Sequence, residues 1–352
     1  MSAENSSQVQ HASGIDIDVM VPPPPAAPYF DREHGGWILS RYADVTTALR
    51  ESRLWPVIAH GEDQSKTRDE TGRLRLRPDV QESLAASRLA EWQAQMQPPA
   101  RGALEALPRD RPVDLLGEFV KPWCLTLAML VTGADPADRE RLSELGSTVF
   151  AGTGEPDCSP LRAEAARATV ELERVFEHLG VPMGEPTFIA ISQTSARLLS
   201  NAWLALFSHP SEYARLRAQP DLMPGAVEEL LRYAGIVRRV FRQATEDLDL
   251  GGARILKGDR VLLMLASANR DPEQFPQPNR LDVSRHIAGQ VSLGMGRNSC
   301  VGAMLIRMAA AVATRTLIET FAEGEVAGPV EWHLASGFCF PIVVPVWLRR
   351  CP

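Results

Sequence analysis

Helical periodicity dominates this chain of 352 residues and constrains its fold more than any other feature. From residue 80 onward, apolar side chains recur at intervals of three and four residues, which is the spacing of one helix face. The stretches with this pattern are 80–107, 114–132, 137–150, 160–179, 187–207, 210–217, 222–234 and 301–322. A chain of this kind buries its apolar surface by packing helix on helix. The sequence therefore predicts a mainly α fold.

Short β segments interrupt the helical pattern. The candidate strands are residues 36–40, 248–255, 260–265 and a hairpin over 332–348. Pro341 and Pro345 lack a backbone N–H, so we expect the hairpin to lie at the edge of a sheet. Residues 56–79 are charged and carry little periodicity, which predicts a long surface loop. The whole pattern predicts a mainly α fold with small accessory β-sheets.

The first segment of the chain differs from the rest. Residues 1–28 are polar and then rich in proline, so they predict a flexible N-terminal arm. Residues 29–352 contain no internal repeat and no linker, so we expect them to form a single domain.

Charge and composition narrow the choice of partners. The formal net charge is −7 and no basic block occurs, so we expect neither a nucleic acid nor an anionic membrane surface as a partner. Residues 1–21 lack the basic start and the apolar centre of a signal peptide. No uncharged apolar stretch reaches the roughly 18 residues of a membrane-spanning helix. We therefore expect a cytoplasmic protein.

The cysteines are few and widely spaced. Their number is odd and no Cys-x-x-Cys motif occurs, which argues against a disulfide framework and against a structural zinc site. The five are Cys124, Cys158, Cys300, Cys339 and Cys351. For most of them we expect the role of a small buried apolar residue.

One cysteine lies in a segment with the features of a ligand loop. Residues 292–307 read Ser-Leu-Gly-Met-Gly-Arg-Asn-Ser-Cys-Val-Gly-Ala-Met-Leu-Ile-Arg, so that Gly294, Gly296 and Gly302 surround Cys300 before an apolar helix. Glycines let the backbone approach a flat ligand closely, and a helix N-terminus stabilises a thiolate. An axial haem ligand needs such a thiolate. The alternative is a glycine turn around a buried cysteine.

A second motif lies upstream of this loop. Residues 226–233 read Ala-Val-Glu-Glu-Leu-Leu-Arg-Tyr and predict a helix. Glu229 and Arg232 are three residues apart on it, so they share a face and can pair. Taken alone, the pair has an ordinary surface salt bridge as its alternative.

The order of these segments resembles a known family. Between the helix and the cysteine loop lie Arg-Gln-Ala-Thr-Glu-Asp at 242–247 and Phe-Pro-Gln-Pro-Asn-Arg-Leu-Asp at 275–282. In this order and spacing, residues 194–321 resemble the C-terminal half of bacterial cytochromes P-450. A weaker resemblance covers residues 36–49 and the final hairpin.

The resemblance implies a haem b cofactor with Cys300 as the thiolate ligand of its iron. Cys300 occupies the cysteine of the family pattern Phe-Gly-x-Gly-x-His-x-Cys-x-Gly. The other residues of this loop that the resemblance assigns to the cofactor are Gly294, Gly296, Gly302 and Asn298, which stands at the histidine position. Asn298 replaces a cationic contact to a haem propionate with an amide.

The resemblance also implies a buried charge network and two propionate ligands. Glu229 and Arg232 match the Glu-x-x-Arg pair of the family, and Arg280 matches the third member of a network that shapes the cysteine loop.

Arg242 matches an arginine that pairs with a haem propionate, a role that suits the guanidinium fork. For a second propionate we favour Arg75, with Arg73 and Arg77 as alternatives and plain loop charges as a further one.

The central helix departs from the family pattern next to its distal threonine. Thr194 matches the residue that orders water and helps to deliver protons at the haem, and an acid normally precedes it. Here Gln193 takes the place of that acid, and an amide does not donate protons by ionising. Ile191 takes the place of a glycine, and its branched side chain can crowd the distal face.

The middle of the chain is also shorter than the family norm, between Asp135 and Thr194. Only residues 160–179 are then left to form a lid over the pocket. We therefore expect a cytochrome P-450-like fold that lacks part of the lid helices.

The resemblance implies a monooxygenase that inserts one oxygen atom from O2 into an apolar small molecule, in a biosynthetic pathway, with electrons from a ferredoxin-type partner. Gln193 and Ile191 favour an alternative, a haem-thiolate enzyme that needs no proton relay: an isomerase, a dehydratase, a cyclase or a peroxide-driven oxidant. A non-catalytic haem-binding protein is the third reading, because a fold constrains function only by analogy. The sequence does not disclose the substrate or the oligomeric state.

Overall fold

The computed structural model describes most of the chain and is mainly helical, as predicted. The described residues are 8–11, 23–56, 66–68, 74–76, 82, 85–153, 159–181, 184–286, 289–335 and 337–351. Their helices are α1 Tyr42–Arg50, α2 Ala86–Glu105, α3 Lys121–Thr132, α4 Arg139–Ala151, α5 Pro160–Leu179, α6 Gly184–Ile189, α7 Ala196–Phe207, α8 Pro210–Ala218, α9 Met223–Ala234, α10 Leu265–Ala268 and α11 Ala303–Thr320.

Short strands form several small sheets beside the helices. They are β1 Gln8–His11, β2 Tyr29–Asp31, β3 Gly36–Leu39, β4 Leu54–Pro56, β5 Lys66–Arg68, β6 Leu74–Leu76, β7 Val113–Asp114, β8 Val240–Ala244, β9 Leu248–Leu250, β10 Ala253–Ile255, β11 Arg260–Leu263, β12 Phe321–Val326, β13 Glu331–Ala335, β14 Phe338–Pro341 and β15 Pro345–Arg350. The largest sheet has the order β2-β3-β11-β8-β4, with β3 and β11 parallel and the other pairs antiparallel. Arg242 lies near the middle of this sheet, opposite Val261 of β11 and Pro56 of β4.

Helix α7 forms the centre of the helical core. Every residue of α7 except Arg197 is buried. The indole N–H of Trp203 donates to Thr314 Oγ1 of α11 at 2.9 Å, and Phe119 stacks on Trp203 with ring centroids 5.7 Å apart. Because a buried indole needs a hydrogen-bond partner, this contact fixes the distance and rotation of α7 against α11.

Two π-helical turns interrupt what the sequence predicts as continuous helices. Leu115–Val120 precedes α3, and Ala190–Ser195 lies between α6 and α7. In the second turn the Ser195 hydroxyl donates to the carbonyl of Ala190, five residues earlier, at 3.0 Å. A π-turn adds one residue to a helical turn and occurs frequently at functional sites. This one contains Gln193 and Thr194.

The structure alters the expectation for the N-terminal arm. Residues 1–7 and 12–22 lie outside the described residues, but Gln8–His11 pair with Glu331–Leu334 of β13. This pairing covers one edge of β13, whose other edge pairs with β14. A sheet edge exposes unpaired backbone groups, which a further strand satisfies. The part of the arm at Gln8–His11 is therefore attached to the domain.

Two other expectations outside the helices are wrong. Residues 56–79 were expected to form a loop, but β5 and β6 pair there as an antiparallel ladder. The hairpin over 332–348 is split: β14 ends at Pro341 at a sheet edge, whereas β15 lies between β12 and β7. Pro345 is tolerated in this central strand because it is the first residue, where no ladder N–H is required.

The predicted lid segment is helical. Pro160–Leu179 forms α5, which packs along α4, and Arg141 of α4 pairs with Glu171 of α5 at 2.7 Å. Gly152 allows the close approach, because a Cβ there would lie 2.2 Å from that of Ala165. The shortened middle of the chain therefore retains a two-helix unit, and α4 of this unit packs against the turn Ala190–Ser195 that precedes α7.

One stretch, Leu115–Thr132, is long and apolar enough to cross a membrane by length and composition. Within it, 61% of the residues are buried inside the protein, and the Trp123 indole donates to the carbonyl of Met96 in α2 at 3.3 Å. These contacts are those of a core helix. Elsewhere in the described part of the chain, no helix meets the same criterion.

Candidate haem-thiolate site

The cysteine loop is a tight turn that ends directly at a helix. Gly294 and Gly296 have φ angles of +70° and +68°, which side chains with a Cβ rarely adopt. The backbone N–H of Cys300 donates to the carbonyl of Leu293 at 2.7 Å, and the N–H of Ala303 donates to the carbonyl of Cys300 at 3.2 Å. The loop is therefore closed on one side and continues into α11 on the other, with a partly buried Cys300 between them.

The remaining loop residues lie around this cysteine. Asn298 belongs to a 3-10 turn, Gly296–Asn298, and is partly buried. A Cβ on Gly302 would lie 4.0 Å from Cys300 Sγ, which is an ordinary van der Waals contact, so Gly302 lies directly beside the sulfur. A Cβ on Gly296 would lie 3.4 Å from the carbonyl oxygen of Leu49 at the end of α1. The loop thus packs against α1 on one side and begins α11 on the other.

Glu229 and Arg232 form a buried bidentate pair on α9. Arg232 Nε and Nη2 donate to the two carboxylate oxygens at 2.7 and 2.8 Å, and both side chains are at most 2% exposed. Arg232 Nη1 also donates to the carbonyls of Asn269 and Pro278, each at 2.8 Å. Because both side chains are buried, the surface-bridge alternative is excluded. A pair this buried is stable only when its remaining donors also have partners.

The third member of this network is Arg285, and the expectation of Arg280 is wrong. Arg285 Nε donates to Glu229 Oε1 at 3.1 Å, and the Arg285 side chain is 9% exposed. The Arg280 side chain is exposed and donates to Gln277 Oε1 at 3.5 Å, and among the described residues it forms no hydrogen bond with Glu229. A turn explains the difference: the Arg285 N–H donates to the Asp282 carbonyl at 2.9 Å, and the Asp282 N–H donates to Glu229 Oε1 at 3.0 Å, so the chain turns back and brings Arg285 to Glu229.

A chain of hydrogen bonds joins the pair to the cysteine loop. Asn269, whose carbonyl accepts from Arg232, donates through its side-chain amide to Ser292 Oγ at 2.8 Å and accepts from the N–H of Val291 at 2.8 Å. The Ser292 hydroxyl donates to the carbonyl of Leu231 at 2.6 Å. Leu293, the acceptor of the Cys300 N–H, follows directly. The pair on α9 therefore sets the position where the loop starts.

A second ion pair fixes the helix that follows the loop. Arg307 of α11 donates through Nε and Nη2 to the two carboxylate oxygens of Glu228 on α9, the latter at 3.1 Å. The Glu228 carboxylate raises the pKa of Arg307. Gln290 bridges the same carboxylate, at 3.2 Å, to the N–H of Ser292, at 2.8 Å. Both ends of the cysteine loop are thus tied to α9.

Arg242 has the properties of a carboxylate ligand. Its side chain is 6% exposed, Nη1 donates to the carbonyl of Phe241 at 2.8 Å, and Nε has no hydrogen-bond partner among the described residues. Burial lowers the pKa of Arg242 to about 10. A buried guanidinium with an unused donor fits a haem propionate, and the glycine loop with its cysteine fits the iron and the face of the macrocycle.

The candidates for the second propionate ligand are less defined. Arg75 lies in β6, opposite Thr67 of β5, and the description of this strand is limited to its backbone. Arg73 and Arg77 lie outside the described residues.

The distal residues share the π-turn before α7. Ile191 and Gln193 are buried and Thr194 is partly buried. Arg197 Nη1 donates to both the backbone oxygen and the side-chain Oε1 of Gln193, at 2.9 and 3.0 Å. A Cβ on Gly146 of α4 would lie 3.3 Å from Gln193 Nε2. The Gln193 amide is therefore held between Arg197 and α4.

These elements define a protein of the haem-thiolate class, and the comparisons with known proteins agree. The cytochrome P-450 family model matches residues 193–324. The vitamin D(3) 25-hydroxylase of Pseudonocardia autotrophica is 31% identical over 315 residues, which covers 79% of this chain and 78% of that protein. This chain belongs to the cytochrome P-450 family, whose members are oxidoreductases that bind haem b through a cysteine thiolate.

Solved structures show the same fold. The LnmA cytochrome P-450 hydroxylase from the leinamycin biosynthetic pathway of Streptomyces atroolivaceus S-140 is 26% identical, with a TM-score of 0.75 over 88% of this chain and 90% of that one. The cytochrome P-450 enzyme CYP109B1 from Bacillus subtilis has a TM-score of 0.80 at 23% identity, over 91% of this chain and 95% of that one. The predicted cytochrome P-450-like fold is confirmed.

Two residues that the sequence reasoning missed carry signals that could have found them. Arg285 lies shortly after two buried apolar residues, Leu281 and Val283, and this apolar context is the signal. Arg197 is the single charged residue of α7, within a run that is otherwise apolar or small and polar. A charge in such a helix is seldom tolerated without a partner or a function.

The assignment of Arg285 rather than Arg280 to the buried network can be tested directly with two variants. Arg285→Ala removes a hydrogen bond to buried Glu229 and the bonds to the carbonyls of Pro276, Gln277 and Arg280. We expect the free energy of unfolding to fall by about 2–4 kcal/mol, because a buried charge loses a partner. Arg280→Ala, on an exposed side chain, should change it by less than about 0.5 kcal/mol. Urea unfolding of both variants measures this, and an equal effect would contradict the assignment.

Proposed function

We propose that this chain is a monooxygenase that inserts one oxygen atom from O2 into an apolar small molecule. The observation that carries the proposal is the loop that presents Cys300 at the start of α11, with both of its ends tied to the buried pair and the ion pair of α9. Bound haem supplies the oxygen chemistry, and donation from the thiolate sulfur favours cleavage of the O–O bond. In the overall reaction a C–H bond becomes C–OH, and two electrons and two protons reduce the other oxygen atom to water.

The chain's own residues would contribute binding and proton transfer. Cys300 would ligate the iron, Gly294, Gly296 and Gly302 would leave space for the macrocycle, and Arg242 would pair with one propionate. Asn298 would offer an amide to the propionate edge in place of a cation, and Arg75 would pair with the other propionate. Thr194 would order water on the distal side. Glu229, Arg232 and Arg285 act structurally.

The electrons would come from a ferredoxin-type donor, and the setting would be a biosynthetic pathway in the cytoplasm. The pathway part rests on neighbours such as LnmA, which is named as a hydroxylase of the leinamycin pathway. We further propose that residues 29–352 form a single haem-binding domain. The largest sheet supports this, because it combines β2 and β3 near the N-terminus with β8 and β11 of the C-terminal half.

One observation favours a second candidate, a haem-thiolate enzyme that needs no proton relay. Gln193 stands where the relay needs an acid, and its amide oxygen accepts from Arg197 at 3.0 Å. An amide held by a guanidinium is fixed in position and does not deliver protons by ionising. An isomerase, a dehydratase, a cyclase or a peroxide-driven oxidant would tolerate this, and so would a non-catalytic haem protein.

Isotope labelling separates these functions. With labelled O2, NADH and a ferredoxin–reductase pair, we expect one labelled oxygen atom in the product of the purified holoenzyme. Cys300→Ser should abolish incorporation because a hydroxyl is a poor electron donor to iron. Cys351→Ser should retain it, since that partly exposed thiol lies at the C-terminal end of the chain, where its sulfur accepts from Arg217 at 3.1 Å. Product without label, or product formed without any reductant, would support the second candidate.

Restoring an acid at the π-turn tests the relay. Gln193→Glu gives Thr194 an ionisable neighbour that can pass on protons, so we expect the product formed per NADH consumed to rise severalfold. Gln219→Glu, the same change on an exposed residue, should leave this ratio unchanged. If both variants match the wild-type ratio, position 193 does not limit proton delivery.

A further inference from the structure

A cavity of about 310 Å³ lies between the start of α3, the end of α4, α7 and the β13–β14 hairpin. Its lining includes two cations, Lys121 and Arg197, and four aromatic side chains: Phe150, His333, Phe338 and Phe340. No carboxylate belongs to the described residues that line it. Two cations and no acid make this wall electropositive in an otherwise acidic chain of net charge −7.

Aromatic rings fix Arg197 in place. Its guanidinium carbon lies 3.8 Å from the ring centroid of Phe150 and 5.0 Å from that of Phe340. Burial lowers the pKa of Arg197 to about 10, which still leaves it charged at neutral pH. Its hydrogen bonds go to the two oxygens of Gln193, and no carboxylate belongs to the described residues that line the cavity around it. The cation is therefore desolvated, oriented and not neutralised.

Lys121 adds a second charge to the same cavity. Its side chain is partly buried, and its pKa is lowered first by burial and then by repulsion from Arg197. Asp114 opposes this shift, but one oxygen of its carboxylate accepts the backbone N–H of Val344 at 3.0 Å. Two neighbouring cations in a partly desolvated site repel each other, and an anion bound between them removes that penalty.

We propose that this cavity binds the carboxylate group of an aromatic or otherwise apolar small molecule, with Arg197 and Lys121 as its two ligands. The inference rests on the proposed function, since we take this molecule to be the substrate. The guanidinium fork and the ammonium bind the carboxylate, while Phe150, Phe338 and Phe340 cover the apolar body. Because Arg197 also donates to Gln193, the bound anion would be linked through Arg197 to the helix turn that carries Thr194.

The test compares an aromatic carboxylate with its neutral amide. Isothermal titration of the full-length holoprotein with 2-naphthoate and with 2-naphthamide isolates the contribution of the charge, since the two probes have nearly the same shape. We expect 2-naphthoate to bind at least about tenfold more tightly, and we expect this preference to weaken as salt rises. Equal affinities, or no detectable binding of 2-naphthoate, would overturn the proposal.

Variants identify the residues that produce the preference for 2-naphthoate. Arg197→Gln and Lys121→Gln should each reduce the preference for 2-naphthoate to about threefold or less. Lys121 is less buried than Arg197, so the Lys121 variant still tests the proposal if Arg197→Gln fails to fold. Arg254→Gln, on a side chain that is 75% exposed, is the matched control and should keep the full preference. An unchanged preference in the folded Lys121 variant would contradict the assignment.

The calorimetric result is independent of turnover. A protein that keeps the carboxylate preference but incorporates no labelled oxygen would refute the monooxygenase proposal and leave the anion site standing. A protein that oxidises substrates but binds both probes equally would refute the anion site alone.

Discussion

The buried pair between Glu229 and Arg232 is the interaction on which the rest of this structure depends. A carboxylate and a guanidinium that are both nearly inaccessible are stable only if every remaining donor and acceptor has a partner. The carbonyls of residues 269 and 278, the N–H of Asp282 and Arg285 supply those partners. Satisfying one buried pair therefore fixes the path of residues 269–285, and through Asn269 and Ser292 it fixes the start of the cysteine loop.

Different interactions hold the proximal and the distal sides of the proposed haem site. On the proximal side, backbone hydrogen bonds and two ion pairs of α9 hold the loop, and the glycines give it the φ angles it requires. On the distal side, a π-turn replaces a regular helix, and one guanidinium clamped by Phe150 and Phe340 holds the Gln193 amide. By the resemblance, the proximal loop departs from the family pattern at Asn298, and the distal turn departs from it at Ile191 and Gln193. In the proposed anion site, Arg197 of α7 would connect the charge of a bound carboxylate to Gln193, with which it already forms a hydrogen bond.

Much of the fold could be predicted from the sequence because helices are local. Residues 160–179 were predicted with the bounds that α5 has, since one apolar stripe and a proline at the start define them. The cysteine loop could be predicted because its glycines, its cysteine and the following helix are adjacent in sequence. What could not be predicted depends on distant partners. β15 is central because β7, more than two hundred residues earlier, pairs with it, and Arg285 rather than Arg280 is buried because Glu229 lies across from it.

The most direct test of the account is the carbon-monoxide difference spectrum of the dithionite-reduced protein. The central claim is that Cys300 ligates haem iron as a thiolate, and this ligand alone shifts the Soret band strongly to the red. The account predicts that shifted band in the purified wild-type protein and its loss in Cys300→Ser. A band at the ordinary position, or no bound haem, would contradict it.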